Sequence, residues 1–162
     1  MAQNWINAGA GRTGPLANTV QYLLRERGYN VPIDGNVGPQ TTSAIKQFQT
    51  DNGLTPDGIV GNQTWPVLII EIEQGAQGDA VSAAQDQLHY RYEPPECKNL
   101  VVDGVFGPLT DAAVRAFQTD VHNSNQEWML GEPMIADGIV GEATWRALVT
   151  GLGHSIDLGG DI

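Results

Sequence analysis

Asp57-Gly-Ile-Val-Gly-Asn-Gln-Thr-Trp65 returns almost unchanged as Asp137-Gly-Ile-Val-Gly-Glu-Ala-Thr-Trp145. Self-similarity of this kind makes the chain a tandem repeat, because each copy must solve the same folding problem. Inside the string, Gly58 can supply the positive φ of a tight turn, and Asp57 can accept hydrogen bonds from amides just downstream. Gly61 stands where a helix N-cap belongs, Thr64 falls in the first turn, and Trp65 and Leu68 begin an apolar stripe at helical spacing. The string reads as a loop that feeds a helix. Pro66 lacks the N–H a helix interior uses, so this helix is expected to be kinked or to begin late.

Working outward, Gly14-Pro15 opens the first copy, and Leu16, Val20, Leu23 and Leu24 form one face of a helix ending near Gly28. Asp34-Gly-Asn-Val-Gly-Pro39 is a second turn of the same design, with Pro39 at the first helical position. Thr41, Ala44, Ile45 and Phe48 continue as a helical stripe that stops near Asn52-Gly53. In the second copy Gly78 aligns with Gly14, Gln85 with Gln21 and Leu88 with Leu24. Asp103-Gly-Val-Phe-Gly-Pro108 repeats the second turn, and Ala113, Val114, Phe117 and Gln118 repeat Ala44, Ile45, Phe48 and Gln49. Extra residues enter around 94–98 and within the polar loop 122–133, where insertions cost little. No stretch alternates convincingly at period two. The expected fold is all-α: a strap at 1–13, a first three-helix module at 14–70, a linker at 71–79, a second module at 80–149 and an acidic tail at 150–162.

The totals narrow the function. Eight Lys and Arg against 19 Asp and Glu give a net charge of −11, which repels nucleic-acid phosphate and anionic membrane surfaces. No apolar run approaches the roughly 18 residues of a membrane span, and the N-terminus lacks the basic and apolar regions of a secretory signal. An extracellular or wall location would be reached by a route not written in this chain. Cys97 is alone, which excludes an intramolecular disulfide and a cysteine zinc site, and its neighbours read as a surface loop. His89, His122 and His154 lack metal-site spacing. Asp34-x-Asn36-x-Gly38 begins like a calcium loop, but Ile45 stands where the bidentate Glu belongs. No cofactor or metal is expected. Glu71, Glu73, Glu93 and Glu96 lie in linkers or loops, which favours solvation over paired acid–base work.

Gln21-x-x-Leu24, Gly28-Tyr29, Asp34-Gly-x-x-Gly-Pro-x-Thr41, Ala44-Ile-x-x-Phe48-Gln49, Gly53-Leu54 and Asp57-Gly-Ile-Val-Gly-x-x-Thr-Trp65 together resemble the peptidoglycan-binding domain 1 family, a small three-helix cell-wall module. The second copy is similar through Asp103-Gly-x-Phe-Gly-Pro-x-Thr110, Ala113-Val-x-x-Phe117-Gln118 and 137–145. The resemblance implies a non-catalytic module that anchors a partner, usually a hydrolase, to bacterial peptidoglycan. The copies depart from the family pattern differently. The second has Arg91-Tyr92 for the Gly-Tyr pair and carries the insertions; the first has Pro66, and Val37 where an aromatic is common. Equal binding by both copies does not follow.

On this reading a shallow groove in each copy accepts stem-peptide or amino-sugar amides. Asp34, Asp57, Asp103 and Asp137 either contact ligand or act as turn and cap residues, and turn chemistry favours the second. Gln21 and Gln85 sit on apolar faces, where an amide must find partners, and are expected to bind the Asp-Gly loops. Gln49 and Gln118, at the stripe edge, are candidates for bonding a stem peptide or sugar amide. Tyr29 and Tyr92 stand near the groove mouth, and Trp128 either plugs a satellite core or offers a face to a sugar. Phe48, Phe117, Trp65 and Trp145 are expected in the core. Two rival readings are a scaffold in a phage particle or contractile injection apparatus, and a lysin whose site lies in the insertion.

Overall fold

The computed structural model describes residues 5–90, 94–124 and 130–151. They form seven helices: α1 Pro15–Glu26, α2 Pro39–Asp51, α3 Trp65–Leu68, α4 Asp79–His89, α5 Pro95–Lys98, α6 Pro108–Asn123 and α7 Glu142–Thr150. Extended backbone is confined to isolated bridges among the described residues. Gly-Pro pairs start α1, α2 and α6, the glycine at the N-cap and the proline where a missing N–H costs nothing. The expected late start at Pro66 is present: Thr64 and Trp65 both bond the Gly61 carbonyl, at 3.0 and 2.9 Å, and the helix runs for only 4 residues. In α7, Arg146 has the N–H that Pro66 lacks, and the helix runs for 9 residues.

Segments 5–13 and 71–79 do the same structural job. Ala8 bridges Val60 and Thr13 bridges Asn36; in the second module Ile72 bridges Val140 and Gln77 bridges Val105. The indole N–H of Trp65 donates to the Ile6 carbonyl at 2.7 Å, and that of Trp145 to the Ile70 carbonyl at 2.8 Å. A buried indole needs such an acceptor, and each module takes it from the strap preceding it. The second module also has four helices, not three, since α5 forms inside the first insertion. Cys97 on α5 is fully buried, its Sγ 3.5 Å from the Ala113 carbonyl. The polar neighbours that made it look superficial face outward, while the thiol packs as a small apolar group.

The modules share one core. Helix α1 packs on α4, and buried polar groups fix their register: Gln87 Nε2 donates to Thr19 Oγ1 at 2.9 Å and Asn18 Nδ2 to Asp86 Oδ2 at 3.3 Å. The Ala80 amide donates to Glu26 Oε1 at 2.9 Å, supplying an acceptor for one of the orphan amides at the start of α4. Trp5 stacks on Trp65, ring centres 5.4 Å apart, and the Arg146 guanidinium of α7 lies 5.5 Å from the Trp5 ring. Phe48, Phe117, Trp65 and Trp145 are all core, as expected.

Candidate functional site

Each Asp-Gly turn is held by a buried glutamine, and the arrangement occurs four times. In the first, Gln21 Nε2 donates to Asp34 Oδ1 at 2.8 Å, the Asn36 carbonyl at 3.0 Å and Thr41 Oγ1 at 3.1 Å, while its Oε1 accepts from the Asp34 and Gly35 amides. Gln85 does the same with Asp103, Val105, Thr110 and Gly104. Gln49 repeats it with Asp57, Ile59, Thr64 and the Gly58 amide, and Gln118 with Asp137, Ile139, Thr144 and the Gly138 amide. Every aspartate Oδ1 also accepts the amide two residues on, the Asx geometry that favours Asp at a turn.

Gln21 and Gln85 therefore behave as expected. Gln49 and Gln118 do not: both are fully buried, and their amides are spent on the turns, so neither presents a donor to a ligand. The four aspartates stand exposed with one oxygen committed to the network. Gln21, then the Asn36 amide, holds the Asp34 carboxyl below the usual range; for Asp103 the Val105 amide leads, then Gln85. Thr41, Thr64, Thr110 and Thr144 complete the networks, a role not expected of them from sequence. Their signal was the identical spacing from Asp to Thr in all four loops.

Tyr29 donates its hydroxyl to Asp51 Oδ2 at 2.6 Å and sits edge-on to Phe48. That hydrogen bond pushes its phenol up to about 12. It does not line the groove described below. Tyr92 and Trp128 lie outside the described residues.

An open concavity lies in the first module. The strap, α2 and the Asp57-Gly58-Ile59 turn enclose an open groove of about 790 Å³, lined among others by Asn7, Arg12, Thr42 and Lys46. It shares Ala10, Gly11, Thr42 and Lys46 with a hollow of about 640 Å³ that reaches the Asn36–Pro39 side of the other turn. Arg12 Nη2 donates to the Asn7 carbonyl at 2.9 Å. Thr42 Oγ1 is cut off from solvent and has no hydrogen-bond partner among the described residues, an unmet cost for a polar group.

The corresponding place in the second module is built differently. Glu71 and Glu73 replace Asn7 and Gly9, and Asp111 and Arg115 replace Thr42 and Lys46. Arg115 Nε donates to Asp111 Oδ2 at 3.0 Å, and Arg115 Nη1 to the Ala136 carbonyl at 3.2 Å, tying α6 to the turn. The guanidinium lies against Gly138, where an added methyl would come within 3.0 Å of Nη2. A separate hollow of about 660 Å³ in this module is bordered by Val101, Val105 and Leu109, all exposed. Among the described residues no group of His, Cys, Asp and Glu is arranged to hold a metal, and no helix is long and apolar enough to cross a membrane.

A protein of the bpoA1 3′ region of Kitasatospora aureofaciens is 51% identical over 43 residues, 26% of this chain and 36% of its own length. The N-acetylmuramoyl-L-alanine amidase CwlL of Bacillus licheniformis is 27% identical over 86% of this chain and 44% of its own. The chain thus spans less than half the length of these relatives. A solved peptidoglycan-binding protein from Clostridioides difficile, in complex with glutamine hydroxamate, is 38% identical over 39% of this chain and 40% of its own, with a TM-score of 0.38. The family described as "Putative peptidoglycan binding domain" matches twice, over residues 13–68 and 77–122. Two tandem copies of one helical module, each beginning at its strap and built on the same Gln-held turns, make this chain a member of the peptidoglycan-binding domain family.

Proposed function

We propose that the chain binds bacterial peptidoglycan without cleaving it, and that the first module's groove makes the contact. The observation that carries this reading is the groove itself, open to solvent and bounded by the Asp57-Gly58-Ile59 turn. Its lining includes Asn7, Arg12, Lys46 and Asp57, which suits a polar, amide-rich peptide more than a fatty or aromatic ligand. Asp57 shapes the groove, and Gln49 acts from beneath by fixing the turn. Bond cleavage would need an acid or base aimed at the reacting bond; the groove's carboxylate instead has an oxygen committed to Gln49 and the Ile59 amide. Anchoring or targeting to the wall is the role that follows.

The test is sedimentation of the purified chain with isolated sacculi, with and without their stem peptides, while suspension turbidity is followed. The expected result is sedimentation that depends on stem peptides, with no clearing. A chain that stays in solution removes the wall-binding reading, and clearing removes its non-catalytic part.

A further inference from the structure

The two modules share a scaffold and differ at the positions that face the groove. We propose that the grooves are functionally unequal: the first takes the free carboxylate of a peptide through Lys46 and Arg12, and the second is closed by its own Arg115–Asp111 pair. The proposal rests on the wall-binding reading and names the ligand group and the module that takes it.

Charge is the first argument. In a chain of net charge −11, Lys46 and Arg12 line the same groove, and among the described residues neither is paired with an acidic side chain. Four arginines elsewhere are engaged: Arg25 with Asp79, Arg27 with the Leu68 and Ile69 carbonyls, Arg115 with Asp111, and Arg146 with Glu142; Lys98, on α5, lies outside the groove. Arg12 has one guanidinium nitrogen on the Asn7 carbonyl, which holds the strap's cation in place and leaves further donors. Thr42 belongs to the same lining. Two cations form a donor set for an anion, and a carboxylate accepts from several donors at once; Asp57, which also lines the groove, has Oδ1 committed to Gln49 and the Ile59 amide.

The second argument is the replacement at the matching positions. There the chain supplies its own carboxylate, Asp111, and its own cation, Arg115, and joins them at 3.0 Å beside the turn. Arg115 also reaches the Ala136 carbonyl. Glu71 and Glu73 on the adjoining strap add negative charge that disfavours a second anion. An entering carboxylate would have to break this pair and face those glutamates.

The same donors could take phosphate from an anionic polymer, so the test separates the two sources. The full chain is titrated with a synthetic stem peptide bearing a free C-terminal carboxylate, with its C-terminal amide, and with inorganic phosphate. The expected result is one equivalent of free-acid peptide bound, a loss of at least about 10-fold on amidation, a similar loss in Lys46→Glu, and no competition by phosphate. Lys46 is exposed, so its replacement leaves the urea midpoint unchanged. The pair Thr42→Asp/Lys46→Arg, which copies the second module into the first, abolishes binding. The variant Glu71→Asn/Glu73→Gly/Ala76→Arg/Asp111→Thr/Arg115→Lys, which copies the first module's strap and helix positions into the second, raises the stoichiometry from one to two. Two equivalents in the parent chain, equal binding of acid and amide, no binding of the free acid, phosphate competing as well as the peptide, or a folded five-substitution chain still binding one equivalent overturns the proposal. Sacculus sedimentation keeps the two readings apart: if the parent chain and Lys46→Glu sediment equally, wall binding stands and the carboxylate site falls.

Discussion

Replacing Gln49 by alanine separates a turn-holding role from a ligand contact. The side chain donates to Asp57 Oδ1 at 2.9 Å, the Ile59 carbonyl at 3.0 Å and Thr64 Oγ1 at 3.0 Å, and accepts from the buried Gly58 amide at 2.9 Å. Truncation leaves that amide unpaired in a dry site, at about 1–3 kcal/mol for a buried unsatisfied group, and a void where the amide stood. We expect a total cost of about 3–5 kcal/mol, a large fraction of a typical domain's stability. At about 2–4 °C per kcal/mol for a chain of this size, the melting temperature should fall by roughly 6–20 °C. Gln49→Glu tests the donor separately: it keeps the shape and the acceptor for Gly58 but sets a second carboxylate against Asp57, so it should be about as destabilising as alanine. Calorimetry and urea unfolding of the parent chain and both variants give the answer. A Gln49→Ala chain that melts like the parent yet no longer sediments with sacculi refutes the reasoning and restores Gln49 as a ligand contact. The equivalent variants at Gln21, Gln85 and Gln118 should lose stability to a similar degree, because each glutamine is fully buried in the same network.

Burial raises the Asp86 carboxyl at the α1–α4 contact. Its folded-state pKa exceeds the unfolded one, so its contribution to stability is greatest at acid pH and is lost as pH rises through the folded value; Asp86→Asn should flatten that part of the stability profile measured by urea unfolding. Tyr29, with its phenol pushed up to about 12 by Asp51, should ionise late in an ultraviolet alkaline titration, and Asp51→Asn should bring it back toward about 10; stability from this bond is fully present below about 10 and lost as pH rises through about 12. Trp5→Ala removes a buried ring held between Trp65 and Arg146 and should cost about 3–5 kcal/mol, read by thermal unfolding. Cys97, fully buried, should react with a thiol reagent only as fast as the chain opens, and fully in urea.

The repeat, the helices and the aromatic core were legible because they depend on local patterns: Gly-Pro starts, apolar spacing and the recurrent Asp-Gly turn. What escaped depends on distance. Gln21 and Gln85 are legible because they interrupt an apolar face. Gln49 and Gln118 follow a phenylalanine at the stripe edge, and helical phase alone could not tell an outward amide from one turned under the next loop. The straps join the modules by only two bridges each, too few to leave an alternating pattern. Cys97 sits on a helix of 4 residues, shorter than any periodicity can report. The groove draws on the strap, α2 and a turn, and no local motif connects Arg12 with Lys46.

The fourfold glutamine network explains how the modules can diverge in binding without losing the fold. Each turn is fixed from beneath by a buried amide and from within by its own aspartate, so its outer surface is rigid before any ligand arrives. A ligand meeting such a surface pays little to order it, and the affinity is set by what the flanking helix and strap present. Those positions are free to vary: Thr42 and Lys46 can become Asp111 and Arg115 while Gln118, Asp137 and Thr144 keep the turn unchanged. The buried α1–α4 contact then fixes the second module relative to the first. A module whose groove is closed can still serve the chain through this contact, burying the faces of α1 and α4 that either module alone would leave exposed.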